Sequence, residues 1–114
     1  MTTTTTETTV RFHVTRDSAT AWRDEDVAMC HVDIANGLGT LAEAKTALID
    51  YMNGEIEDLI NGRYRSASSL HRAGEIMTGV ETVRNISGVP TNKGWTRTEI
   101  ETCGLIWRIV RVER

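Results

Sequence analysis

The sequence predicts an α+β fold in which an antiparallel helical hairpin covers one face of a mainly antiparallel sheet of three to five strands, in the order β-β-α-α-(β)-β. Two observations support this prediction. Apolar and polar residues alternate near both ends of the chain, which is typical of half-buried strands, whereas apolar residues recur every three or four positions in the middle, which is typical of helices. Strands and helices that are segregated along the chain favour α+β over a parallel α/β arrangement.

The chain of 114 residues has the size of a single domain, which we assign to residues 10–114. Residues 1–9 are dominated by threonine and are expected to be a disordered tail. They lack the features of a secretion signal, and no apolar stretch is long enough to cross a membrane. We therefore expect a cytoplasmic protein in which Cys30 and Cys103 are core thiols rather than a disulfide.

Two strands are predicted in the first third of the chain. The first begins at Val10, because Val10, Phe12 and Val14 alternate with polar residues. A polar segment separates it from the second strand, whose inward residues are Ala28, Cys30, Val32 and Ile34. His31 and Asp33 fall on the outward face of that second strand.

Two helices are predicted in the middle of the chain. Thr40 and Glu43 form a capping box, and the first helix has an apolar stripe of Leu41, Ala44, Leu48, Met52, Ile56 and Leu59. The Asn61-Gly62 pair predicts a left-handed C-terminal stop. Ser66 is the expected cap of a second helix, whose repeating residues are Ala67, Leu70, Gly74 and Met77. Because the connection is short, the helices should pack as an antiparallel hairpin.

The last third of the chain returns to β-structure. Residues 80–86 fit a short strand, although the pattern leaves this open, and turn-forming residues follow. Residues 98–113 predict one long strand whose apolar middle is covered on both faces. Gly104 is expected to be a bulge or bend in it, because 16 residues at about 3.3 Å each would exceed a domain of this size.

A glycine pattern at the start of the first helix raises the question of a nucleotide site. Gly37, Gly39 and Ala42 fit G-x-G-x-x-G/A, which places a pyrophosphate at a helix N-terminus. That fold needs a preceding strand buried on both faces, which His31 and Asp33 contradict, and a βαβ unit, which the order of elements does not provide. We therefore predict no dinucleotide site and no cofactor. Free backbone N–H groups at the helix start leave an anion site as a weaker alternative.

Neither a metal site nor a catalytic site stands out in the sequence. His13, His31 and Asp33 can share one sheet face, but their spacing is not diagnostic of a metal site, so a solvated face is the favoured interpretation. Cys103 has apolar neighbours and is expected to be inert rather than a nucleophile. In the absence of a catalytic motif, we predict that the protein is not an enzyme.

Charge is distributed unevenly along the chain. Residues 1–61 carry four basic and eleven acidic side chains, residues 62–114 carry nine and five, and arginine outnumbers lysine eleven to two. Codon bias is one explanation, and retention of arginine to bind phosphate or carboxylate is the other. A candidate partner- or phosphate-binding strip, called the basic strip below, consists of Arg63, Arg65, Arg72, Lys93, Trp95 and Arg97. It predicts binding of a nucleic acid or nucleotide as the alternative function.

The favoured function is that of a non-catalytic protein-interaction or regulatory module. The first helix has a wider apolar stripe than a small sheet and one short helix need, which predicts a homodimer or partner interface at Ile49 and Ile60. No motif identifies a family. By its kind alone, a short α+β chain with a polar tail, it resembles the small accessory and inhibitor proteins of phages and mobile elements, which implies a host protein as the partner.

Overall fold

The computed structural model describes residues 10–18, 31–62, 66–89, 97–102 and 104–113. Its elements are, in order, β1 (Val10–Ser18), β2 (Val32–Leu38), α1 (Leu41–Asn61), α2 (Ala67–Arg84), β3 (Arg97–Thr102) and β4 (Leu105–Glu113). The strands form one antiparallel sheet in the order β2-β1-β4-β3. The predicted α+β class and the helical hairpin are confirmed. Neither α1 nor α2 is long and apolar enough to span a bilayer.

The helical hairpin covers one face of the sheet and forms the core with it. The strands contribute alternate residues, and the buried ones are Phe12, Val14, Trp107 and Ile109. The helices contribute Ala44, Leu48, Met52 and Ile56 from α1 and Ala73, Ile76, Val80 and Val83 from α2. The predicted inward side of the first strand and the predicted apolar stripe of the first helix are therefore confirmed. Within the described ranges no helix or strand covers the opposite face, which we call the open face.

Helix α1 has the predicted N-cap, Thr40, but the predicted capping box is only half formed and the helix ends differently. The Oγ1 of Thr40 accepts a hydrogen bond from the backbone N–H of Glu43 at 3.1 Å. The Glu43 carboxylate accepts from the N–H of Gly39 rather than from that of the cap residue. At the other end Gly62 has φ −66°, so the predicted left-handed stop is wrong. A Cβ on Gly62 would collide with the carbonyl oxygen of Asp58, which explains why glycine is suited to this position.

Helix α2 buries a different face from the one predicted. Ser66 caps it in a reciprocal box with Ser69, as expected. The predicted stripe, however, is exposed throughout, and its members are Ala67, Leu70, Gly74 and Met77. Gly79 belongs to the face that is buried instead, and a Cβ there would lie 2.8 Å from Cγ2 of Thr102 and 2.9 Å from Cε of Met52. The close approach of α2 to β3 and α1 therefore depends on this glycine.

The C-terminal third corrects two further predictions. Residues 80–84 are the last turns of α2 and not a strand, and Lys45 caps them by donating to the carbonyl oxygens of Arg84 at 2.7 Å and Ile86 at 2.8 Å. The predicted long strand is a hairpin of β3 and β4, with Thr102 paired to Leu105. Gly104 has φ +81°, a left-handed conformation that suits a tight turn. The predictions for residues 1–9, Ala28, Cys30 and Cys103 lie outside the described residues.

Candidate protein-interaction surfaces

The solvent side of the helical hairpin carries an apolar surface along the seam between α1 and α2. Leu70 and Met77 of α2 are 42% and 47% exposed, and they are the exposed large apolar side chains of the described chain. Met77 also borders a shallow groove with Val80 and, from the facing helix, Asn53 and Ile56. Apolar side chains of this size on a solvent-facing seam are typical of a surface that contacts another protein.

Ile49 and Ile60 extend this surface on α1. They lie on the same helical row as Asn53 and Ile56, because the spacings of four, three and four residues place all of them on one side of the helix. Both isoleucines are half-buried and pack against the core. We call Ile49, Ile60, Leu70 and Met77 together the seam patch. The interface that the sequence predicts at Ile49 and Ile60 stays a prediction.

The open face of the sheet is dominated by charge. Arg108 of β4 donates to Asp17 of β1 and, at 2.8 Å, to Glu99 of β3. Glu99 also pairs with Arg97 at 3.0 Å. His31, which precedes β2, continues this ladder of charges: its Nδ1 lies 2.8 Å from Asp17. On the open face, Arg108 thus links β4 to charged groups of both neighbouring strands.

His31, at the end of this ladder, has surroundings that favour its protonated form. The Nε2 of His31 lies 2.8 Å from Oδ1 of Asp33, so both ring nitrogens face a carboxylate. Both can donate only in the imidazolium form. Hydrogen bonds to Asp17 and Asp33 accordingly raise the pKa of His31 above its ordinary value of 6.5.

Of the three residues weighed as metal ligands, His31 and Asp33 are in contact, whereas His13 contacts Gly37 and Asn36 instead. Nδ1 of His13 accepts a hydrogen bond from the N–H of Gly37 at 3.1 Å and lies 3.2 Å from Oδ1 of Asn36. The two ring nitrogens of His31 instead contact the carboxylates of Asp17 and Asp33. Within the described part of the chain, no group of three or more His, Cys, Asp or Glu residues is arranged to hold a metal ion.

A polar cluster lies under the helices and was not predicted from the sequence. Arg16 donates to Glu55 at 2.9 Å and to the hydroxyl of Tyr51 at 3.3 Å, and its guanidinium lies 5.8 Å from the centre of the Tyr51 ring. Tyr51 in turn makes an edge contact with Trp107, and burial raises the pKa of its hydroxyl. The Nε1 of Trp107 donates to Oγ1 of Thr102 at 2.7 Å. Arg16 follows Phe12 and Val14 at every second position of β1, and this alternation is the sequence signal that places its side chain on the covered face.

At the start of α1, neighbouring side chains already accept hydrogen bonds from two backbone N–H groups. The Oγ1 of Thr40 satisfies the N–H of Glu43, and the carboxylate of Glu43 satisfies the N–H of Gly39. An anionic side chain thus already occupies the positive end of the helix. Gly37 lies inside β2 with φ +70° rather than in a turn after the strand.

The basic strip is described only in part. Arg72 is exposed on α2, in the helical layer, whereas Arg97 extends from the open face of the sheet, where it pairs with Glu99. These two cations therefore lie on opposite sides of the sheet. The remaining members lie outside the described residues, and they are Arg63, Arg65, Lys93 and Trp95. Phosphate binding by the strip stays a prediction.

Comparison with known proteins leaves function to be argued from this geometry. The chain matches no protein-family model, no curated protein and no solved structure.

Proposed function

We propose that this protein is a non-catalytic protein-interaction module that binds through the seam patch, in the first place to a second copy of itself. The observation that carries the proposal is the exposure of Leu70 and Met77 on the helical layer. Burying them against a partner would remove apolar surface from water at about 25 cal/mol per Å². The chain resembles small accessory or inhibitor proteins of phages and mobile elements by its kind alone, and a host protein is therefore the second class of partner.

The shape of α2 supports a second copy as the partner. Gly74 lies between Leu70 and Met77 on the same exposed row, and a Cβ there would meet no atom within 4 Å. When two such helices cross antiparallel near Gly74, Leu70 of one copy lies opposite Met77 of the other. A self-complementary row of this kind is what a two-fold interface requires.

Light scattering coupled to size-exclusion chromatography tests the proposal. We expect the wild-type protein to have the mass of a dimer at high micromolar concentration. Leu70→Glu and Met77→Glu should each shift the mass to that of the monomer, because a carboxylate would have to be buried at the interface. Since both side chains are exposed in the monomer, urea denaturation of these variants at low protein concentration should change by less than about 1 kcal/mol.

Ser68→Glu is the matched control, because it introduces the same charge at an exposed position of α2 away from the seam patch. It should leave the mass unchanged. A wild-type monomer at high micromolar concentration contradicts self-association. If the wild-type monomer also elutes with a nucleic acid in a salt-dependent manner, the alternative function through the basic strip gains support instead.

A further inference from the structure

A groove of about 360 Å³ separates helix α2 from the edge strand β3. It is lined by Glu75, Thr78 and Thr82 from α2 and by Ile100, Glu101 and Thr102 from β3. Gly79 closes its inner end, where α2 packs directly on Thr102. The groove lies on a different side of α2 from Leu70 and Met77, so it is separate from the seam patch.

The outer edge of β3 borders this groove. The two-residue connection to β4 makes Thr102 and Leu105 a hydrogen-bonded pair, and the antiparallel alternation gives Ile100 the same role opposite Trp107. Glu101 lies between these two paired residues, so its backbone N–H and C=O groups point away from β4 toward the edge. The backbone groups of Glu99 do the same. No described strand pairs with that edge.

The two edges of the sheet differ in regularity. The outer strand β2 pairs with β1 through two register shifts, and such bulges disrupt an edge as a template for another strand. β3 pairs with β4 without any shift from Arg97 to Thr102. The regular edge is thus the one that lies beside a groove and a helix, which is the arrangement that accepts an extended peptide in strand-addition complexes.

The charge of the groove indicates what kind of strand fits. Among its described lining residues, Glu75 carries the one charged side chain on the helix-covered side, because Glu101 pairs with Ile106 and its side chain therefore lies on the open face. The partner of Glu75 is His71, at 3.2 Å on the exposed side of the same helix. Because β3 directs Thr98, Ile100 and Thr102 to the helix-covered face, edge-to-edge pairing with a second copy would place no basic side chain near Glu75. The charges favour a basic segment from a different protein.

We propose that β3 accepts an added strand from a partner protein: an extended basic segment that hydrogen-bonds to the backbone of Glu99 and Glu101 and directs an arginine or lysine toward Glu75. Main-chain hydrogen bonds to the edge provide affinity in this mode, and Glu75 in the groove provides selectivity for a basic side chain.

A fluorescent eight-residue peptide of alternating arginine and valine is the probe, and a glutamate–valine peptide is its charge control. Fluorescence anisotropy measures binding to the full-length protein, and NMR hydrogen exchange follows the backbone amides. We expect the arginine–valine peptide to bind and to slow exchange at Glu99 and Glu101, because these amides gain hydrogen-bond partners. The glutamate–valine peptide should do neither.

Two variants separate the contributions of charge and backbone. Glu75→Gln should weaken peptide binding about two- to five-fold, which corresponds to an exposed ion pair. Glu101→Pro should weaken it about ten-fold, because proline removes an edge-facing N–H but no hydrogen bond to β4. Glu57→Gln, at an exposed position of α1, is the matched control and should bind as wild type.

Three results would overturn this assignment. They are an arginine–valine peptide that does not bind below about 1 mM, binding that leaves exchange at Glu99 and Glu101 unchanged, and equal affinity of the wild type, Glu75→Gln and Glu101→Pro. Leu70→Glu should bind the peptide like the wild type, so this test is independent of self-association through the seam patch.

Discussion

The two faces of the sheet are built from alternate residues of the same strands, yet they are stabilised by different means. On β4, Trp107 and Ile109 are fully buried under the helices, whereas Ile106 and Arg108 on the open face are half-buried. Burial of a large apolar side chain contributes about 1.5–3 kcal/mol, whereas an exposed ion pair contributes about 0–1 kcal/mol. The comparison indicates that the covered face determines whether the chain folds, and that the open face tolerates change.

The largest expected effect comes from one substitution placed on each face of β4. Ile109→Ala should destabilise the protein by about 2–5 kcal/mol, because it leaves a cavity in the core. Ile106→Ala, three residues earlier on the open face, should cost about 1 kcal/mol or less, because its side chain is only half-buried. Urea denaturation of both variants measures the difference. Equal losses of unfolding free energy in the two variants would contradict the difference between the two faces and indicate that the open face is also covered.

Two glycines of α2 sharpen the comparison by contrasting the packed side of the helix with its solvent side. Gly79→Ala should destabilise the protein by about 1–2 kcal/mol, since the new methyl group collides with Thr102 and Met52. Gly74→Ala has open space around its Cβ and, at a protein concentration low enough to keep the chain monomeric, should stabilise the helix by up to about 1 kcal/mol. Thermal melts of the two variants should therefore move in opposite directions. A stabilising Gly79→Ala would show that α2 does not pack closely on β3.

The contrast between the helices also shows how far the sequence could predict the fold. Helix α1 has one dominant apolar stripe, so its cap at Thr40 and its buried face followed from the spacing alone. Helix α2 contains two sets of small or apolar residues with helical spacing, and periodicity cannot choose between them. The buried set includes the bulkier, β-branched residues Ile76, Val80 and Val83. The volume of these side chains identifies the core face, whereas the spacing of apolar residues does not.

The proposed interaction surfaces were predictable only in part. Ile49 and Ile60 followed from the width of the stripe on α1, but the solvent exposure of Leu70 and Met77 depends on which face of α2 is buried. The groove beside β3 could not be foreseen, because the sequence suggested a strand for residues 80–86 and one unbroken strand for 98–113. Such grooves arise from the packing of elements that are distant in sequence, which local patterns do not encode.

The smallest expected effect tests the charge ladder of the open face through pH. Because Asp17 and Asp33 raise the pKa of His31, the imidazolium stabilises the folded state fully below pH 6.5, and this contribution is lost as the pH rises through the higher pKa of the folded state. The side chain is 39% exposed, so solvent screening limits the effect to about 0.5 kcal/mol.

His31→Gln should be less stable than the wild type at pH 5.5 and nearly equal to it at pH 8.5, as measured by urea denaturation at both pH values. His71→Gln is the control for replacing an exposed histidine by glutamine at a position outside the ladder. If the wild type and His31→Gln differ by the same amount at both pH values, His31 is not protonated between Asp17 and Asp33, and the ladder ends at Asp17.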